Sequence, residues 1–446
     1  FLSTLFRDSP SEYYAVPGEI AACFTELGAL YFSSDPVSVS SDAAERKAFV
    51  DKAGLLFEKE RNDLYAAGYV RPEQMLAKAD IIDSLDAINR HIKTTIAANK
   101  REDGLYHSYN ILDISDCRME ISSLEEMLEG QVAVLSSKLL SPEESLVLLK
   151  TLRKSRMYEA RQNTYMLYPD KKLPTFLQKN CVTEYDIQNL STLISISGSD
   201  ILAKDCNGIY HFNPEFRSAR RMNEYLEKAV QKATTDEIIL LNELYEKTFS
   251  HRSFTGRSGT FYAYEGLGSI YWHMVSKLLL AVQECFFAAE ENSPAKADLA
   301  AYYYAVRSGL SFNKTPDLYG AFPTDPYSHT PSGRGACQPG MTGQVKEEIL
   351  TRWGELGLFV QNGCLRIAPA LLHKREFGSD GSLSFLRFGI PFCYRIVCDR
   401  NKECIVIDGK RYDGLTLEAE PGKRLFSRAG GIRELCAYIA EDRLTE

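Results

Sequence analysis

The chain runs to 446 residues, 44% hydrophobic and 25% charged, with a net charge of −8 at pH 7, enough apolar sequence for one large domain and a smaller one. The acidic balance lacks the basic stripe that nucleic-acid phosphates require, which argues against nucleic acid as a partner. No run reaches the roughly eighteen apolar residues of a membrane helix, so no membrane partner is expected.

Helical periodicity dominates up to about residue 358. Apolar residues three and four apart predict helices from Glu19 to Phe32, Ala44 to Ala67, Pro72 to Ala98, Leu124 to Ser136, Pro142 to Lys154, Ser218 to Ala233, Asp236 to Thr248, Ser269 to Ala289, Ala295 to Ser308 and Thr342 to Leu356. Ser141-Pro142-Glu143-Glu144 and Thr235-Asp236 read as helix starts. From Leu365 the pattern changes to short runs bounded by turn residues: Ser384 to Phe388, Cys393 to Val397, Glu403 to Ile407, an Asp408-Gly409 hairpin turn, and Thr416 to Glu420. The expected fold is mainly α, an (α/α)6 barrel-like toroid over 1–364 followed by a small antiparallel β domain over 365–446. Eleven cysteines without a C-x-x-C pair encode neither a disulfide framework nor a zinc site. A reduced, cytoplasmic setting is expected, no signal peptide is read, and the Phe1 start leaves room for an upstream segment.

Two glycine-bearing stretches carry the chemistry. The first holds Arg257-Ser258-Gly259 and then Glu265-Gly266-Leu267-Gly268-Ser269-Ile270-Tyr271-Trp272-His273, running into an apolar helix. The second runs from Asp325-Pro326-Tyr327-Ser328-His329 through Gly333-Arg334-Gly335 to Thr342-Gly343, where another helix begins. Bare glycine N–H groups and a helix N-terminus suit an anion or a sugar hydroxyl, although a surface loop rich in turn formers has the same composition.

In order and residue type these stretches resemble the C-terminal half of the catalytic barrel of the cellobiose phosphorylase family, which are inverting glycoside phosphorylases. The family's Glu-Asn-Gly-Gly-Gln-Tyr-Thr-His run matches Glu265 and Gly268 to His273, and its Tyr-Ser-His-Pro-Pro, Gly-Arg-Gly and Thr-Gly-Ser stretches match Tyr327 to Pro331, Gly333 to Gly335 and Thr342-Gly343. Tyr-Thr-His here reads Tyr271-Trp272-His273, and the Trp-Thr-Trp-Tyr before Thr-Gly-Ser is replaced around Cys337 to Met341. The resemblance is therefore remote. It implies phosphate binding by His273, Thr342, Gly343 and Arg334, and sugar binding by Glu265, with Arg257, Asp325, Tyr327 and His329 as further substrate contacts. Family members carry a β-sandwich domain and the first barrel helices ahead of this point, so part of the site could come from an N-terminal portion or from association as a homodimer.

Inverting cleavage of a glycosidic bond needs an acid at the leaving oxygen and a nucleophile on the opposite face. Inorganic phosphate as co-substrate supplies that nucleophile, so one carboxylic acid and a set of anion donors suffice, with no cofactor and no metal. The family places Asp-Trp-Asn-Asp near the position of Lys100-Arg101-Glu102-Asp103-Gly104, where only Asp103-Gly104 survives. Asp103 is accordingly the first candidate acid and Glu102 the second. Glu125, Glu126 and Glu129 read as a solvated or capping face with room for one to point inward. Tyr165 to Asp170 and Asp205 to Asn213 mix aromatic and polar groups as sugar subsites do. The leading reading is a phosphorylase acting on a β-linked glucoside or oligosaccharide, with an inverting hydrolase on the same barrel and a non-catalytic carbohydrate-binding subunit as its rivals.

Overall fold

The computed structural model describes residues 1–124, 126–170, 174–190, 200–229, 234–250, 269–310, 313–314, 329–331, 344–361, 363–427 and 431–445. The chain is mainly α, about 51% helical, with small sheets. It divides into two compact units, one formed by Phe1–Pro169 with Ser269–Glu446 and one by Asp170–Gly268. The span 1–364 thus contains a separate compact unit. No described helix is long and apolar enough to cross a membrane.

In the larger unit the local signals act as the sequence suggests where they are self-contained. The Pro142–Lys154 helix starts on a reciprocal box: Ser141 Oγ accepts from the Glu144 N–H at 3.1 Å, and the Glu144 carboxylate accepts from the Ser141 N–H at 2.9 Å. Elsewhere distant pairing overrides periodicity. Gln74–Ala77, expected as helix, pairs as a strand with Tyr13–Val16, and the helix begins at Lys78. Asn110–Ile114 and Met119–Ser123, where no element is expected, form a local antiparallel hairpin, with Ile111, Leu112, Ile114 and Ile121 exposed.

The Trp272–Ala288 helix is the axis of this unit's core. It buries Trp272, Val275, Leu278, Leu279, Ala281 and Val282 among others, and packs against Leu128–Ser136, Pro142–Lys154, Pro294–Arg307 and Gln344–Glu355. Burial almost all round is what an apolar run with few charges produces. The last of these crossings needs a glycine, because a Cβ on Gly354 would lie 2.1 Å from Gln283 Oε1. The buried Gln283 amide is itself fixed, donating to Thr351 O at 2.8 Å. Next to it Glu355 is buried and compensated, accepting from Tyr303 Oη at 2.6 Å and pairing with Arg307 at 2.9 Å and Arg352 at 2.8 Å.

The end of the chain folds as sheets over a core of Phe392, Tyr394, Ile405, Leu435, Ala437 and Ile439. The five-stranded sheet has the order Ser382–Arg387, Ile390–Val397, Leu435–Ala440, Cys404–Ile407, Lys410–Asp413. The hairpin turn at Asp408-Gly409 has φ of 49° and 84°, the doubly positive pair of a type I′ turn. The sheet is not wholly antiparallel as expected: Ile390–Val397 runs parallel to Leu435–Ala440. Parallel neighbours need a long crossover, and the intervening strands with the Ala419–Phe426 helix supply it. That helix also ends the strand expected from Thr416 to Glu420 at Leu417.

The Asp170–Gly268 unit has its own core of Phe212, Phe216, Met222, Leu226, Leu241, Tyr245 and Phe249. Its helices Ala219–Ala229 and Thr235–Phe249 accompany a short hairpin of Leu202–Lys204 and Tyr210–Phe212. Thr234 caps the second helix in a box with Glu237, one residue before the expected start. Asn180 ties the hairpin down, its amide donating to Phe212 O and accepting from Phe212 N, both at 2.8 Å.

Candidate functional site

The two glycine-bearing stretches meet in a short ladder. Ser269–Tyr271 pairs antiparallel with His329–Pro331, and His329 stands opposite Tyr271. Directly after it the chain turns into the Trp272–Ala288 helix, whose cap residue Tyr271 makes no side-chain capping bond. The first-turn N–H groups of this long helix are therefore not occupied by their own cap side chain, an arrangement that favours negative charge.

His273 sits in that first turn with its side chain 20% exposed. The Tyr271 hydroxyl lies 3.3 Å from Nδ1, and Glu347 Oε1 lies 3.5 Å from Nε2. Nε2 is buried, faces the Glu347 carboxylate and makes no aligned hydrogen bond. Burial pushes the imidazole below its ordinary value, while the Glu347 carboxylate pulls it back up and Lys277 and Lys346 push it down.

Other buried polar atoms near this helix start lack hydrogen-bond partners. Gln162 Oε1 and Thr164 Oγ1 flank the Thr164–Tyr165 strand, which packs against Ser269–Tyr271. Ser276 Oγ lies one turn beyond His273, and Glu347 Oε2 is orphaned although its other oxygen meets His273 and Lys346. Lys314 is 8% exposed, donates to Gln162 O and holds its ammonium 5.0 Å from the centre of the buried Trp272 ring. The chain reaches that point through Gly309, where a Cβ would strike Asn163 O at 2.0 Å. So many unsatisfied groups are costly to a fold unless water or a ligand completes the bonding. Among the described residues no group of three His, Cys, Asp or Glu side chains could hold a metal ion.

The carboxylates proposed as acids occupy a separate ion-paired turn. Asp103 accepts from Arg101 Nε at 3.1 Å and Nη2 at 2.9 Å, and from the Leu105 N–H at 3.0 Å. The Arg101 guanidinium holds its carboxyl below the usual range, a state suited to accepting hydrogen bonds. To donate a proton, Asp103 would have to exchange Arg101 for the leaving oxygen. Glu102 is exposed beside it. Glu126 is the acidic residue that turns inward: it is 7% exposed, paired with Arg101 at 3.3 Å and Arg156 at 2.9 Å. Glu129 accepts from Tyr109 Oη at 2.5 Å.

Arg257, Glu265, Asp325, Tyr327, Arg334, Thr342 and Gly343 lie outside the described residues, and His329 is described in its backbone alone. Of the loops read as sugar subsites, Tyr165 to Tyr168 are core residues. Asp205 closes its own turn, accepting from the N–H groups of Asn207 at 2.8 Å and Ile209 at 2.9 Å, with His211 Nε2 at 3.3 Å. Sequence reasoning passed over Glu347 and Lys314. Glu347 had a signal, since Glu347, Thr351 and Glu355 form a buried polar stripe at helical spacing. Lys314 had none, because a lysine just past a helix is ordinarily solvated.

A cavity of about 630 Å³ lies further along the Gln344–Glu355 helix, lined by Arg307, Thr351, Arg352, Glu355, Arg375 and Glu376 among others. Its buried carboxylate, Glu355, is already satisfied, unlike the polar groups named at the helix start.

No curated protein matches the chain. Residues 173–252 match the model of the GH149 phosphorylase insertion domain 2, a span inside the compact Asp170–Gly268 unit. The match points to a glycoside phosphorylase family, in agreement with the remote phosphorylase resemblance carried by the glycine-bearing stretches.

Proposed function

We propose that the chain carries the catalytic barrel of an inverting glycoside phosphorylase, which cleaves a β-linked glucoside or oligosaccharide with inorganic phosphate and releases a sugar 1-phosphate. The observation that carries this reading is the match of residues 173–252 to a phosphorylase insertion domain. The helix start at Trp272, whose cap residue makes no side-chain bond and whose first turn carries His273, supports it independently, since an oxyanion is what such a site attracts. In this reading the helices of 1–364 belong to an (α/α)6 barrel, and its mouth holds both substrates.

Phosphate attacks the anomeric carbon from the face opposite the leaving oxygen. His273, Thr342, the Gly343 N–H and Arg334 hold the dianion, because donors fixed in advance cost no reorganisation as charge shifts. Glu265, Arg257, Asp325, Tyr327 and His329 orient the sugar. Asp103, with Glu102 as its substitute, protonates the departing oxygen after release from Arg101. One observation favours hydrolysis on the same barrel: Glu347 presents a buried carboxylate oxygen with no hydrogen bond, a group able to activate water.

Incubation of the protein with a panel of β-glucosides, with and without phosphate, separates the two. Phosphorolysis gives sugar 1-phosphate only when phosphate is present. Release of free sugar at equal rates in both arms would replace it with hydrolysis.

A further inference from the structure

Several partly buried cations in the larger unit are matched by carboxylates. Arg307 and Arg352 pair with Glu355, and Arg443 pairs with Glu403 at 2.5 Å. Lys314 differs. It is as buried as these partners, yet among the described residues no carboxylate pairs with it. Its protein contacts are one backbone carbonyl, Gln162 O, and the face of Trp272. An ammonium has three N–H donors, so two remain unused by those contacts. Burying a charge without a counter-ion is among the most expensive arrangements in a fold, and such a residue is retained when something else supplies the opposite charge.

We propose that Lys314 is an anion-binding residue of the site at the start of the Trp272–Ala288 helix, supplying the positive charge that meets an incoming phosphate. Trp272, under the Lys314 ammonium, is the first residue of the Trp272–Ala288 helix, so the cation stands against the helix start whose cap residue makes no side-chain bond and whose next residue is His273. The nearby carboxylate, Glu347, is engaged with His273 and Lys346. The aromatic face stabilises the ammonium without neutralising it, which leaves its charge for the ligand. Burial holds the Lys314 ammonium down at about 8, as expected of a cation with no counter-charge beside it. The inference rests on the phosphorylase reading for the identity of the anion. The unpaired cation itself is independent of that reading.

The test compares wild type, Lys314→Met and Lys314→Arg as full chains, titrated with inorganic phosphate by calorimetry and followed by thermal melting. Lys314→Met is expected to melt without phosphate at or above the wild-type temperature, because a buried unpaired charge is gone. It should bind phosphate about ten- to a hundredfold more weakly. Lys314→Arg should retain most of the affinity. Phosphate binding by Lys314→Met within about twofold of wild type would overturn the proposal and make Lys314 a clamp between Gln162 and Trp272. Should Lys314→Met fail to fold, Lys314→Gln in the same titration decides by the same criterion. Phosphate-independent cleavage in the glucoside assay, combined with Lys314-dependent phosphate binding, would reject the phosphorylase reading and keep the anion site.

Discussion

In the Asp170–Gly268 unit the buried Asn180 amide both donates to and accepts from Phe212, and no described residue there leaves a buried side-chain nitrogen or oxygen without a hydrogen bond. At the start of the Trp272–Ala288 helix the reverse holds: Gln162, Thr164, His273, Ser276 and Glu347 each keep a buried polar atom unmatched, and Lys314 keeps an unmatched charge. The unit that bears the phosphorylase match uses its polar groups to hold its own fold. The helix start leaves a deficit for water or a ligand to make good. Family signal and chemical signal thus sit in different parts of one chain.

Substitutions should divide along the same line. The largest effect is expected from Asp103→Asn, with turnover of substrates bearing poor leaving groups falling about 10² to 10⁴-fold. Sugar fluorides run in the reverse direction, which need little protonation, should suffer less. Near wild-type rates on both classes would move the acid elsewhere.

Asn180→Ala should act on stability. It strands the Phe212 N–H and C=O in the core, at a cost of about 2–4 kcal/mol for two buried groups. Hydrogen exchange should rise across 174–250 while phosphate affinity holds. Loss of phosphate affinity without faster exchange would erase the contrast between the two regions.

His273→Ala is expected to do the opposite, weakening phosphate use by about 1.5–3 kcal/mol, the worth of a charge-assisted bond, with little change in melting temperature. A lower melting temperature with unchanged phosphate affinity would make this histidine structural.

The smallest effect lies in acid. Hydrogen bonds from Lys247 and Thr183 lower the Asp186 carboxyl to about 2. A depressed acid contributes stability that is complete above its unfolded value of about 3.9 and is lost as pH falls toward 2. Lys247→Met should shrink that loss by about 0.2–1 kcal/mol, as for an exposed pair. An identical acid-melting profile in the variant would show that the pair contributes nothing.

What the sequence disclosed was what neighbours decide. The Ser141-Pro142-Glu143-Glu144 cap and the Asp408-Gly409 turn were readable because all their bonds are local. Gln74–Ala77 was misread because its partner strand lies some sixty residues away, and helical spacing carries no trace of that pairing. Leu435–Ala440 was unread for the same reason, its neighbours coming from two separate parts of the chain. Of the proposed site, His273 was singled out by its place in a motif. Lys314 was invisible because its significance lies in an absent counter-charge, which only three dimensions reveal.

The close contact of Gly354 with Gln283 works as a fulcrum. Glu347 lies seven residues up the same helix, a lever arm of about 10 Å at 1.5 Å per residue. A tilt of about 6° at that contact would carry Glu347 about 1 Å relative to His273. The separation of these two side chains is therefore set partly by the absence of a methyl group two turns away, and Gly354→Ala, which forces the fixed Gln283 amide to move, would reach the site without touching it.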